Sequence, residues 1–279
     1  MRLRIHHNTV YRYQTPARRI VQAMRLWPAP VAGQQVLDWQ VMVGGRGLRP
    51  RSRDGFGNAE ATYSADGPLD ELCVGVVGQV ITEDRHGVIQ GSEELLDPLF
   101  YCAPSVLTQP DQALRELAER CRRHRGLEQA HQLMRVVREA VEFKTEETHS
   151  ETDASEALAH GYGVCQDHAH VMIACARILQ RPARYVSGYL WIDGDSVSPA
   201  SHAWSELYID DLGWVGFDPA NRICPTESYV RVAVGRDARD AAPIRGLRQG
   251  GTVESLEVNV SVAQVSADPA RTQSQPVQQ

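Results

Sequence analysis

The 279-residue chain has no apolar run near the ~18–20 residues needed to cross a bilayer, so no membrane partner is expected. Its opening, MRLRIHHNTVYRY, alternates polar and apolar residues without a continuous apolar segment. No secretory leader is read there, and a cytoplasmic location is the expectation. An excess of positive charge is also missing. With 29 Lys and Arg against 35 Asp and Glu the net charge is −6, which argues against a nucleic-acid binder. The one basic string, residues 120–125, falls at the end of an expected helix, where cations suit the carbonyl end of the dipole. The six cysteines form no C-x-x-C pair and no even-spaced framework, so they read as free thiols. Internal repeats are absent too.

What is present is an ordinary globular composition, 42% apolar and 23% charged, in a length that suits two domains. The first ~95 residues read as β-rich. Residues 36–43 alternate and 72–82 form a β-branched run, with the turn-like string 51–58 between them. Strands without intervening helices suggest a small all-β sandwich or barrel over residues 1–95. Three prolines in 97–110 suggest a linker over 96–110. Helical stripes follow, one with Asp111 as its N-cap, one over 127–143, one over 154–159 and one over 165–180. Strands are expected at 185–192, 202–209, 214–217, 229–234 and 256–262. The whole is an α+β chain with a core over 111–265 and a disordered tail over 266–279.

Among the cysteines, Cys165 stands apart because it follows Gly161-Tyr162-Gly163 and opens a helix. Glycines there permit a sharp turn and close approach of a ligand. The first helical N–H groups lack internal acceptors, and the dipole adds about half a positive charge, so a thiolate is favoured and an oxyanion can be held. Cys175 lies on an apolar helical stripe and Cys73 in an apolar strand, and both read as core. The string HAWSELYIDDLGWVGFD, residues 202–218, reads as a hairpin about Asp210 or Asp211. With that centre, same-face partners sum to 420 or 422, and His202 shares a face with Asp218. A loop centred between Asp211 and Leu212 would separate them. Gly216 would leave room for the imidazole. Cys165 as nucleophile, His202 as base and Asp218 as orienting carboxylate make a workable triad. A metal site at Cys165, His168 and His170 is disfavoured, since histidines two apart on a regular helix point about 200° apart. No cofactor is expected.

The strings 163–167 (GVCQD), 182–189 (PARYVSGY), 202–204 (HAW) and 213–219 (GWVGFDP) resemble the bacterial transglutaminase-like family over nearly the whole chain, from residue 1 to about 265. That resemblance implies a papain-like core behind a small β domain, and acyl transfer through a thioester at Cys165, His202 and Asp218. The substrate would be a peptide or protein amide. The acyl acceptor is left open between water and an amine, so peptidase, amidase and transamidase all stand. The superfamily also holds members that have lost catalysis and act as interaction modules; three intact triad positions argue against that alternative. Gln166, Trp204 and Trp214 are candidates for lining the cleft. Lys144 and His168 depart from the family at positions where an aromatic is common. No EF-hand-like loop supports a calcium requirement, and residues 193–195 read as a turn.

Overall fold

The computed structural model describes residues 1–145, 148–193, 201–251 and 254–265. The expected tail over 266–279 and most of the turn at 193–195 lie outside them.

The first sheet is built on two long strands. β1 (Arg2–Met24) pairs antiparallel with β5 (Ala59–Thr82) from Arg2↔Ile81 to Met24↔Ala61. β2 (Gln34–Val43) pairs with β5, β3 (Arg46–Leu48) with β2, and the short β4 (Ser52–Arg53) with β5. Register shifts at Arg12/Ala17 and Ala17/Arg19 mark bulges, which bend and twist a strand. The long pair doubles over at them. Ile20 and Met24 from one end of β1 therefore share an apolar cluster with Leu72, Val74 and Val76, which pair toward its other end. Strict alternation in β5 buries those three residues and turns Cys73 outward, so Cys73 is half-buried, with its thiol donating to Glu71, rather than core.

The second layer carries four helices. α1 (Gln112–Glu119) starts at Asp111, whose carboxylate accepts the Leu114 N–H, as its sequence position predicts. α2 (Gly126–Ala140) is followed by β6 (Glu142–Phe143), which pairs with β7 (Tyr162–Gly163) on the far side of α3 (Ala154–His160). α4 (Cys165–Ile178) is the central helix, with Val171 to Ala176 all buried. It packs on an antiparallel sheet ordered β10-β9-β8-β11. These strands are β8 (Ala183–Leu190), β9 (His202–Ile209), β10 (Gly213–Phe217) and β11 (Tyr229–Gly235). Ala203, Leu207, Ile209, Val215 and Phe217 join the helix-side core, while Val186, Trp204, Tyr229 and Val234 form a cluster on the other face. This is the papain-like α+β arrangement.

Two boundaries differ from expectation. Residues 96–110 do not simply link. They form 3-10 turns at Pro98–Cys102 and Val106–Thr108, held by the buried Arg177 guanidinium, which donates to Tyr101 O at 2.9 Å and Thr108 Oγ1 at 2.6 Å. The core also does not extend to residue 265. β12 (Ile244–Gly250) and β13 (Glu254–Gln264) leave it and complete the first sheet. β13 pairs with Leu3–Tyr13, and β12 with Ala17–Met24. The reason is the unpaired edge of β1, whose backbone groups need partners. The layers then close through Leu3, Ile5, Val80, Val260 and Val262 against Tyr189, Val230 and Val232. No helix among the described residues is long and apolar enough to cross a membrane.

Candidate active site

Gly163 presses on Asp167 so closely that a Cβ would sit 2.6 Å from its carboxylate. That approach lets Asp167 reach back and accept the Val164 N–H at 2.8 Å, which caps α4 and sets Cys165 at its first turn. Thr148 donates to the same carboxylate oxygen at 2.7 Å. Burial pushes the Asp167 pKa up, and these donors pull against it. His168 fixes the entry from the other side, with one ring nitrogen 2.8 Å from Val164 O and the other 2.9 Å from Val141 O. Its ring packs against Phe143, an aromatic-on-aromatic role that accounts for a histidine where the family favours an aromatic. Lys144 pairs with Glu142 at 3.0 Å and lies over the Tyr162 ring. His170 is buried elsewhere and accepts the Ala238 N–H at 3.1 Å.

The β9–β10 hairpin pairs Gly213 with Ile209 and Phe217 with Ser205, a constant sum of 422, so its centre is Asp211. His202 and Asp218 therefore share a face, one diagonal step apart. His202 Nε2 donates to Asp218 Oδ2 at 2.6 Å, which leaves Nδ1 for the thiol. Burial alone would lower the His202 pKa; the hydrogen bonds to Asp218 and to the Cys165 sulfur outweigh it and lift the pKa to about 10. Asp218 is fully buried. Burial opposes its charge, but the donors around it hold its pKa below the ordinary carboxylate value.

Two of those donors were not singled out in the sequence. Asn221 donates its side-chain N–H to Asp218 Oδ2 at 2.7 Å and its backbone N–H to Oδ1 at 3.2 Å. Tyr229 donates its hydroxyl to the same Oδ2 at 2.7 Å. Asn221 had a local signal, since residues 218–223 close a short loop through paired backbone bonds between Asp218 and Ile223. Tyr229 had none, because β11 lies at the far edge of the sheet from β10.

Cys165, Gln166 and His202 line one cleft of about 920 Å³, with Asn221 at its wall. Gln166 donates to Ser150 O at 3.1 Å and so ties the helix start to the loop beyond β6. Trp204 and Trp214 do not reach the cleft. Trp204 is buried against His202 and Tyr229, at centroid distances of 6.2 and 5.4 Å. Trp214 carries the Arg184 guanidinium 4.0 Å over its ring. Both alternate onto the sheet face turned away from α4, where Trp204 clusters with Val186, Tyr229 and Val234 and Trp214 packs against Tyr101 and Tyr208. Gly216 makes room not for the imidazole but for Pro225, 2.8 Å from where a Cβ would stand.

With this geometry in place, comparison with known proteins is direct. The sequence model described as "Transglutaminase-like superfamily" matches residues 115–219, and "Bacterial transglutaminase-like N-terminal region" matches residues 3–81. The chain thus has a transglutaminase-like core and a bacterial transglutaminase-like N-terminal region. Among curated relatives, an uncharacterized protein of Mycobacterium leprae is 29% identical over 95% of this chain and 99% of its own. One of Mycobacterium tuberculosis is 26% identical over 96% and 94%. Among solved structures, "a Putative Cysteine Protease from Cytophaga hutchinsonii" superposes with a TM-score of 0.75 at 24% identity, covering 96% of this chain and 92% of that one. At that identity the likeness establishes the shared two-layer fold.

Proposed function

We propose that this transglutaminase-like protein is a cysteine-dependent enzyme that transfers or hydrolyses the acyl group of an amide or peptide bond through a thioester. Cys165 is its nucleophile, His202 its acid and base, and Asp218 the carboxylate that orients the ring. The observation that carries the reading is the 2.6 Å hydrogen bond from the His202 imidazole to the buried Asp218 Oδ2, with Cys165 and His202 lining one cleft.

In the cycle the Cys165 thiol passes its proton to His202, whose raised pKa holds it on the ring. The thiolate attacks the carbonyl carbon and forms the C–S bond, while the first-turn N–H of Cys165 supports the oxyanion. Imidazolium Nδ1–H gives its proton to the leaving nitrogen as the C–N bond breaks, leaving a thioester. Water or an amine then adds, its proton passes to His202, and the C–S bond breaks to restore the thiolate.

Mass spectrometry of a glutamine-containing peptide, incubated with and without a primary amine, tests this. A product heavier by the amine less ammonia indicates transamidation, backbone cleavage a peptidase, and loss of ammonia for water an amidase. Each should vanish in Cys165→Ala; persistence there would overturn the nucleophile. Iodoacetamide at mildly acidic pH should also alkylate Cys165 well ahead of the other five cysteines, and uniform slow labelling would point to an interaction module instead.

A further inference from the structure

The cleft has two unlike walls. One comes from Phe143 in β6 and from Ser150 and Glu151 in the loop beyond it. The other is the segment from Ala238 to Arg245, which leaves β11 and becomes the start of β12. Ser187 donates to Ala241 O at 2.8 Å and Ala238 N–H to His170, so this second wall is pinned to the core before it joins the first sheet. Ile244 and Arg245 then pair with Met24 and Ala23. The first sheet therefore supplies part of the cleft.

Much of the lining is apolar, including Leu190, Ile192, Ala203 and Pro243. Among the described residues, the charged side chains lining it apart from Cys165 and His202 are Glu151, Arg239 and Arg245. Arg239 pairs with Glu151 across the cleft. Arg245 has no acid partner among the described residues. Its guanidinium donates once, to Arg239 O at 3.2 Å, and most of its donors face solvent. Two guanidinium-bearing residues thus lie on an otherwise apolar wall, and the one described carboxylate lining the cleft is taken by Arg239. The planar fork of Arg is suited to a carboxylate, which it binds with two parallel hydrogen bonds. A ligand that displaces water from the apolar lining strengthens that attraction.

We propose that Arg245, with Arg239 beside it, forms a subsite for a carboxylate on the acyl donor, so that the enzyme takes acidic donors in preference to neutral ones. This rests on the reading of Cys165 as the nucleophile. The carboxylate is either an acidic side chain or a peptide C-terminus. Arg245 is the specificity-determining member, because Arg239 is already neutralised by Glu151.

Three chloroacetyl peptides of equal length test it. One carries glutamate with an amidated C-terminus, one glutamine with a free C-terminus, and one glutamine with an amidated C-terminus. Each alkylates a thiolate to a thioether with loss of chloride, and the Cys165 adduct is followed by intact mass against probe concentration. At least one charged probe should half-saturate at about tenfold lower concentration than the neutral probe, the size expected for a hydrogen-bonded charge pair. Which one does so identifies the source of the carboxylate. In Arg245→Gln the difference should disappear, and in Arg245→Lys part of it should survive. Glu151→Gln, which frees Arg239, should widen it. Equal half-saturation by all three probes with wild-type protein, or a preference that survives Arg245→Gln, overturns the subsite while leaving the nucleophile standing. Failure of every probe to label Cys165 overturns the nucleophile, and the subsite with it.

Discussion

Two charge clusters sit on the same face of β9, four residues apart, and they behave differently. At the open end, His202 meets Asp218. Two repeats of the pleat further in, Glu206 accepts from Arg184 at 2.7 Å and from Arg231 at 2.7 Å, with Glu94 closing the outer side of Arg184 at 2.6 Å. Burial would raise the Glu206 pKa, but the two guanidiniums hold it down at about 2. Glu206 is fully sealed and every charge there has a fixed partner. The His202 side chain retains 13% exposure and touches a thiol. Both clusters are hydrogen-bonded ion pairs; what separates a site from a strut is an exchangeable proton facing a cavity. A saturated network has nothing to give a substrate.

The sharpest break in that comparison is Asp218→Ala. With the orienting carboxylate gone, turnover should drop by about 10,000-fold while the fold persists, measured as kcat on whichever amide substrate the wild type accepts. Near-normal turnover would remove Asp218 from the mechanism. Glu206→Gln should do the converse. Leaving two buried arginines short of charge is expected to lower stability by about 3–5 kcal/mol, read by urea unfolding. A loss under ~1 kcal/mol would show that the network relaxes without Glu206.

pH offers a third contrast. Because the folded pKa of His202 is raised, its contribution to stability is complete below about 6.5 and is lost as pH rises toward about 10. Glu206 behaves oppositely: its contribution is present above the ordinary carboxylate value of 4.5 and is lost as pH falls toward about 2. The buried His7 and His170 add to the acid side. Burial keeps both neutral down to about pH 4, while the unfolded chain protonates near 6.5, so stability declines between those values as pH drops. Thermal midpoints across pH 4–10 should show both slopes, and His202→Gln should flatten the alkaline one alone.

Smaller effects probe the supports of Asp218. Tyr229→Phe and Asn221→Ala each remove one donor to its Oδ2, which makes the carboxylate more basic. Each should cost roughly tenfold in kcat, about the worth of one charge-assisted hydrogen bond, and should move the pH–rate profile, which a purely structural defect would not do. Least of all should follow from Asp66→Asn at the exposed Arg19–Asp66 pair, where solvent screens the interaction and the melting temperature should hold.

Much of the core was legible because its signals are local. Gly163 before Cys165, the Asp111 cap and the alternation of the 202–218 hairpin each depend on a few neighbouring residues. The structure adopts 422, one of the two pairing sums that the hairpin reading left open. Other elements could not be read this way. IRGLRQG in β12 is exposed at nearly every position and has no apolar alternation. It is a strand only because β1 offers it an edge. The polar outer face of β1 likewise hid a strand 23 residues long behind a short alternating opening.

The amino-acid sequence by itself determined the order along the chain of the groups proposed to react, Cys165, His202 and Asp218, and the local turns that present the first of them. Tertiary structure decided what surrounds them. Alternation tells which residues share a face but not what covers that face. Only the packing of Val186 and Tyr229 on Trp204, and of Tyr101 and Arg184 on Trp214, consigns the two rings to the interior, and only the return of the chain to the edge of β1 carries Arg245 to the wall of the cleft.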